Sequence, residues 1–213
     1  MKIAILGGSG MAGSAVYEEA VKRGHEVVAY LRDEEKAKKV LGLKANIRAL
    51  DVFSLTKEEL QGYDAIVDAF NTRPDKAYLC VDLATKLIAM FRDTEKPRIL
   101  FILGAGSLKA PDGKLVVDHL KEDPKVQPFI NIPIQAYKEL QFLRTVENVN
   151  WVGVSPSAQF GPGKAHAPKI GKDDLLFSSD GASHVTNQTM AIAILDELEK
   201  PEFSKTRFTV ADE

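Results

Sequence analysis

The sequence has almost no cysteine: Cys80 is the single one in 213 residues. An internal disulfide and any cysteine-built metal cluster are therefore excluded, and the scarcity of thiols fits a reducing compartment. Cys80 itself reads as a small buried apolar side chain. The four histidines (His25, His119, His166 and His184) fall in different segments without metal-ligand spacing, so no metal site is expected. Neither charge dominates, with 28 Lys and Arg against 30 Asp and Glu and a net charge of -2, so nothing implies bulk attraction to nucleic acid or anionic lipid. No apolar run approaches the roughly 20 residues of a membrane span. The apolar stretch before the first glycines is too short for a signal-peptide core, and a cytoplasmic protein is expected. Repeats, linkers and low-complexity segments are missing as well, so residues 1–213 are expected to form a single domain, as a monomer or small homo-oligomer.

Glycine, by contrast, is concentrated at the start. In "KIAILGGSGMAGSAVYEEAVKRG", four glycines fall within seven residues, between an apolar run and a helical pattern. Such a cluster marks a turn, or a close approach of backbone to something that side chains would block. "KIAIL" is a short apolar run of the kind buried on both faces of a sheet, and Ala15, Val16, Ala20 and Val21 keep helical spacing up to Gly24. The alternation continues. "HEVVAYL", "NIRALDV", "DAIVDAF", "RILFILGAGSL", "VNWVGVSP" and "RFTVA" read as strands. "RDEEKAKKVLG", "TKEELQG", "DKAYLCVDLATKLIAMFRDT", "IQAYKELQFLRTV" and "TNQTMAIAILDELEK" read as helices. Strands separated by helices imply parallel pairing, hence an α/β fold: a Rossmann-like doubly wound parallel sheet with helices on both faces and a small carboxy-terminal substrate-side region at about 155–185.

Gly7, Gly10 and Gly13 form G-x-x-G-x-x-G, with Gly8 as an extra. After a first strand, the first glycine permits the tight turn, the second admits a pyrophosphate to the backbone, and the third lets helix and strand pack closely. Ser9, Met11 and Ala12 complete a loop whose free N–H groups face the anion. The second strand ends in "AYLRD". Arg32 there suits the 2′-phosphate of NADP(H), which is favoured over NAD(H), while Asp33 beside it keeps NAD open.

The opening "ILGGSGMAGSAVYEEAVKRGHEVVAYLRD" resembles the atypical short-chain dehydrogenase/reductase families, the group with NmrA-like proteins and biliverdin reductase B. "SPSAQFGPG", "IGKDDLLFSSDGASH", "MAIAILDELEKP" and "RFTVAD" are similar to small bacterial proteins called NADH-flavin reductases, and the resemblance covers essentially the whole chain. It implies that Asp51, followed by Val52, reads the adenine amino group, although an Asp at such a place also serves as a turn residue. It further implies that Ala69, Phe70 and Asn71 pass beside the ribose and nicotinamide, and that Ser155 and Pro156, ending the sixth strand, lie against the nicotinamide.

Carbonyl-reducing members of that family use Tyr-x-x-x-Lys. Here Tyr137 is followed four residues later by Gln141, and counting back from "VNWVGVSP" puts the family's two positions near Ile130 and Ile134. The dyad is missing. Reducing a ketone calls for a proton at the developing alkoxide, whereas hydride transfer to a flavin N5 spreads the charge over a ring that water can protonate. The expected activity is thus hydride transfer from NAD(P)H to a transiently bound planar acceptor, FMN, riboflavin or a quinone, with flavin as substrate rather than resident cofactor. The alternative is a non-catalytic NADP-binding redox sensor of the NmrA kind. In the "LGAGSL" segment, Gly104 borders the cofactor, and Ser107 either donates to a flavin carbonyl or closes an ST turn. Tyr137 either stacks on the substrate or packs in the core. In the loop "SAQFGPGKAHAPKIGKDD", either a flap over the crevice or a plain surface loop, Phe160 is the candidate to stack on an isoalloxazine and Lys164 or Lys169 to attract an FMN phosphate.

Overall fold

The computed structural model describes residues 1–213. The chain runs β1 (Lys2–Leu6), α1 (Met11–Lys22), β2 (Glu26–Leu31), α2 (Glu34–Leu41), β3 (Ile47–Ala49), α3 (Lys57–Leu60), β4 (Ala65–Asp68), α4 (Tyr78–Met90), β5 (Thr94–Ile102), α5 (Val116–Glu122), α6 (Asn131–Leu143), β6 (Val149–Pro156), β7 (Gln159–Gly161), β8 (Pro168–Gly171), β9 (His184–Thr186), α7 (Asn187–Glu199) and β10 (Arg207–Asp212). Eight strands form one sheet in the order β3-β2-β1-β4-β5-β6-β10-β8. The first six positions follow the Rossmann order, which reverses direction between β1 and β4 and so opens a crevice at their carboxyl ends.

Alternate residues of the central strands supply two separate cores, as strand periodicity requires. Ile3, Ile5 and Val67 join Val16 and Ala20 of α1 and Ile194 and Leu195 of α7 on one face. Ala4, Leu6 and Ile66 join Leu83 and Leu87 of α4 and Leu140 and Leu143 of α6 on the other.

Several elements depart from the sequence pattern. The sheet is not wholly parallel: β8 pairs antiparallel with β10, while β7 and β9 make a separate parallel pair, so the segment 157–174, expected as irregular loop, carries two short strands, β7 and β8. Helix α5 was not legible, being only seven residues long with one buried side chain, Val117. The expected fifth strand stops at Ile102, and Ala105–Ser107 form a 3-10 turn instead. Helix α6 begins at Asn131, three residues earlier than the apolar spacing suggests, with Pro133 in a first turn where proline is tolerated. On β9, His184 bonds Asp212 through Nδ1 at 3.0 Å and Asp180 through Nε2 at 3.2 Å. The bond to Asp212 does most to raise its pKa above the ordinary histidine value.

Two glycines set the first turn. Gly7 has φ +80°, and a Cβ there would sit 2.7 Å from the Ala69 carbonyl oxygen. At Gly13 a Cβ would stand 2.5 Å from the Gly7 carbonyl oxygen, a backbone atom that cannot yield without moving the strand end. Gly13→Ala is therefore expected to destabilise the fold by roughly 1–3 kcal/mol, the range for overpacking. Thermal unfolding beside Val21→Ala, an exposed control in the same helix, measures it; equal melting temperatures would show that α1 can move off the strand.

Candidate active site

Two contiguous cavities lie at the carboxyl ends of β1, β2, β4 and β5. The first, about 480 Å³, is lined by Gly7, Ser9 and Gly10 of the glycine turn, Leu31 and Arg32 at the end of β2, Asp51, Val52 and Phe53 after β3, and the stretch 69–73 after β4. Four cationic side chains border it (Arg32, Lys36, Arg73 and Lys76) against one carboxylate, Asp51. Helix α1 starts here. Gly10 is its N-cap and supplies no side-chain cap, so the first-turn N–H groups remain for an anion.

The ends of β2 and β3 show how local sequence divides the labour. Asp33 caps α2, its side chain accepting from the Lys36 N–H at 2.9 Å, and it does not line the cavity. Arg32 lines it, is exposed, and makes no ion pair. Asp51 lines it too, while accepting from the Phe53 N–H at 2.9 Å, so it also performs the turn function.

The second cavity, about 250 Å³, is chiefly apolar. Met11, Ala12, Ile102, Leu103, Gly104, Pro156 and Phe160 line it, as do Ala77 and Cys80 of the α4 region and Ile132, Ala136 and Glu139 of α6. Gly10, Ala69, Phe70 and Asn71 border both cavities, joining them into one cleft. An elongated ligand with an anionic middle and a flat apolar end fits this division, and a dinucleotide has that character.

Several expected contacts are not brought to the cleft. Ser107 is buried and held in its turn: its Oγ lies 3.5 Å from the Gly104 carbonyl and accepts from Arg207 at 3.3 Å. Ser155 donates to the Gly104 carbonyl at 3.0 Å and accepts from the same guanidinium at 3.1 Å. Arg207, buried on β10 and paired also with Asp173, thus ties the ends of β5 and β6 together. Tyr137 is half-buried on α6 and lines neither cavity. The α6 positions that do face the cleft at a spacing of four are Ile132 and Ala136, two residues beyond those counted from the sequence, and neither carries a titratable group. Lys164 and Lys169 also lie outside, with Lys169 donating to the Phe177 carbonyl at 2.9 Å. Gly13 lies behind the cavity wall, acting through packing.

What sequence reasoning missed is the cationic pair Arg73 and Lys76 and a buried acidic group. Arg73 precedes the 3-10 turn Pro74–Lys76 and Lys76 ends it, so Lys76 falls inside the stretch that reads as the start of a longer helix. Asp68, Glu139 and Cys80 come together from β4, α6 and α4. Burial pushes the Asp68 carboxyl up to about 7 against the opposing pull of the Phe70 N–H, which it accepts at 3.0 Å. Burial likewise pushes the Cys80 thiol up to about 12, with Glu139 and Asp68 adding to the effect, so the thiol stays protonated and inert.

The chain belongs to the NAD(P)H-binding family, whose model matches residues 7–201. It is 36% identical over 216 residues to the uncharacterized protein YwnB of Bacillus subtilis strain 168, covering 100% of this chain and 99% of that one. Two solved structures are similar as well. One is "a putative NADH-flavin reductase" from Streptococcus pneumoniae TIGR4, at 32% identity and TM-score 0.89 over the full length of both chains. The other is a "putative epimerase" from Bacteroides thetaiotaomicron, at 33% identity and TM-score 0.82 over 99% of this chain and 96% of that one. The family assignment agrees with the glycine turn, the strand order and the cationic cavity.

The raised pKa of Asp68 sets a pH dependence. Its folded value lies above the roughly 3.9 of an unfolded Asp, so the native state holds the extra proton and stability falls as pH rises from about 4 to about 7. Asp68→Asn keeps an oxygen for the Phe70 N–H and removes the titration. Denaturant unfolding should show the variant gaining on the wild type, by on the order of 4 kcal/mol above pH ~8 and little near pH ~4. A difference independent of pH would mean that Asp68 is ionised in the fold without penalty.

Proposed function

We propose that this protein is an NADPH-preferring oxidoreductase that passes hydride to a planar acceptor, a flavin or a quinone, bound only for the turnover. The observation that carries the proposal is the junction of the two cavities. A cationic channel meets a dry apolar pocket at Gly10, Ala69, Phe70 and Asn71. In this arrangement phosphates and ribose occupy the first cavity, and the nicotinamide reaches the second, where Met11, Pro156 and Phe160 offer flat apolar surface for stacking. The bound dinucleotide supplies a hydride. The chain's own residues hold it, orient its reactive end toward the acceptor and exclude water.

Two features favour this reading over sugar epimerisation. Ile132 and Ala136 occupy the cleft-facing positions of α6 at the spacing of the missing dyad, so no phenol is available there to exchange a proton with a sugar hydroxyl. The segment between β6 and α7 is also short, leaving no domain to hold a sugar nucleotide. Preference for NADPH follows from Arg32, unpaired at the cavity rim, while the neighbouring Asp33 is occupied as a helix cap.

Purified protein should oxidise NADPH with FMN, riboflavin or a quinone well above the protein-free rate. Nucleotide binding without turnover across that panel would leave a sensor rather than a catalyst. Arg32→Ala should weaken NADPH by roughly 10- to 100-fold, the loss of one or two charge-assisted hydrogen bonds, and leave NADH within about twofold. Calorimetric titration with both nucleotides checks it, and equal losses would show that Arg32 does not contact the 2′-phosphate.

A further inference from the structure

Hydride transfer leaves one lining group of the apolar pocket unemployed. Glu139 projects from the same stripe of α6 as Ile132 and Ala136, seven and three residues before it. It is 5% exposed, yet it lines the pocket and forms no hydrogen bond within the protein. A buried carboxyl without donors or a cationic partner is held in its neutral form, because ionising it there has nothing to offset the lost hydration. Its titratable neighbours do not change this. Asp68, on β4, accepts from the Phe70 N–H, and Cys80, on α4, points its Sγ at the Phe70 carbonyl 3.9 Å away. Neither carries positive charge. Burial, with Asp68 adding to it, pushes the Glu139 carboxyl well above the usual carboxylate range.

We propose that Glu139 is the proton donor of this site and that the acceptor is a quinone, whose oxygen takes the Glu139 proton. The proposal rests on the dinucleotide reading above and narrows its acceptor. A flavin accepting hydride at N5 delocalises the resulting charge, but a quinone concentrates it on a carbonyl oxygen, where a positioned acid accelerates the step. The balance is simple. Hydride brings two electrons and one hydrogen to the quinone, leaving negative charge on an oxygen. The O–H bond of the Glu139 carboxylic acid then breaks, its proton bonds to that oxygen, and the electron pair stays on the carboxylate, giving hydroquinone. Solvent returns the proton to Glu139 once the product leaves. A neutral acid in a water-poor pocket also resists idle ionisation between turnovers.

The test pairs Glu139→Gln, which keeps size and neutrality but cannot deliver a proton, with a measurement on the wild type that needs no turnover. With a water-soluble 1,4-naphthoquinone, the variant should lose roughly 100-fold in kcat, the scale of a positioned acid, with little change in KM. With FMN the loss should be at least about tenfold smaller, because the charge left on the flavin is delocalised rather than held on one oxygen. In the protein without nucleotide, the glutamate carboxyl ¹³C resonance absent from the variant should titrate far above the ordinary ~4.3 and shift when the naphthoquinone is added. Equal losses with both acceptors, no loss with the quinone, or a Glu139 resonance that titrates normally or ignores the quinone would each overturn the assignment. Wild-type protein that turns over neither acceptor would overturn the reductase reading instead, and the resonance would still decide whether Glu139 meets a quinone.

Discussion

The approach of α1 to the end of β1 is the constraint on which the rest of the site depends. Because Gly13 brings no Cβ to the Gly7 carbonyl, the helix begins almost on top of the strand, and its uncapped first turn opens directly into the crevice. Gly10, the N-cap, therefore borders both cavities, and Met11 and Ala12, the first helical residues, wall the apolar one. The same helix is fastened at its far end. Arg23 donates to Glu19 of its own last turns and to Asp196 and Glu199 of α7 at 2.7 and 3.0 Å, so α1 is held against the sheet at one end and against its neighbouring helix at the other. Moving α1 outward would separate the anion-binding turn from the pocket that the reacting end must reach.

Charge is distributed by the same logic. Arg207 and Arg98 are pulled into the structure and matched with carboxylates and carbonyls: Arg207 with Asp173 and two serines, Arg98 with Glu197 and the Phe203 carbonyl. Pairing of this kind costs desolvation and gives little net stability, but it fixes geometry because breaking one partner strands the other. Arg32, Lys36 and Lys76, in contrast, have no carboxylate partner and border the larger cavity. Arg73 meets only the exposed Asp75, at 3.3 Å, an interaction of small worth. Cations that stabilise the frame are paired internally, although the buried Nε of Arg98 and that of Arg207 have no partner, and those facing the cleft keep their charge for a ligand.

Legibility followed how local each signal was. The strand and helix periods, the turn at Gly7–Gly13 and the capping box at Thr56 and Glu59 are written in neighbouring residues, and the structure carries them where the sequence places them. The family resemblance likewise pointed to Ala69, Phe70, Asn71 and Pro156, and the loop reading to Phe160, all of which border the cleft where strand ends converge in this topology. Side-chain direction was less accessible. Ser107 and Ser155 stand at the right strand ends but point to Arg207, and nothing in "RFTVA" indicates that its arginine turns inward. Tyr137 and Glu139 differ by half a turn on one amphipathic helix, and which of them meets the cleft depends on how α6 rolls against α4. Arg73 and Lys76 became visible only once the turn ahead of α4 folded back over the pocket.

The acidic group beneath the apolar pocket runs against economical packing. Burying Asp68 and Glu139 side by side leaves neither with a cationic partner, and both raised carboxyls cost stability as pH rises above the range of an ordinary carboxylate. An apolar pair of similar size would fill the same space between β4 and α6 without that cost. Stability alone thus gives no reason for the arrangement, whereas an acid held neutral in the wall of an apolar cleft has a chemical one. The absent tyrosine and lysine then take on a different meaning. Ile132 and Ala136 dry the wall where a charged dyad would draw in water, and that dryness keeps the carboxyl one turn further along the helix protonated.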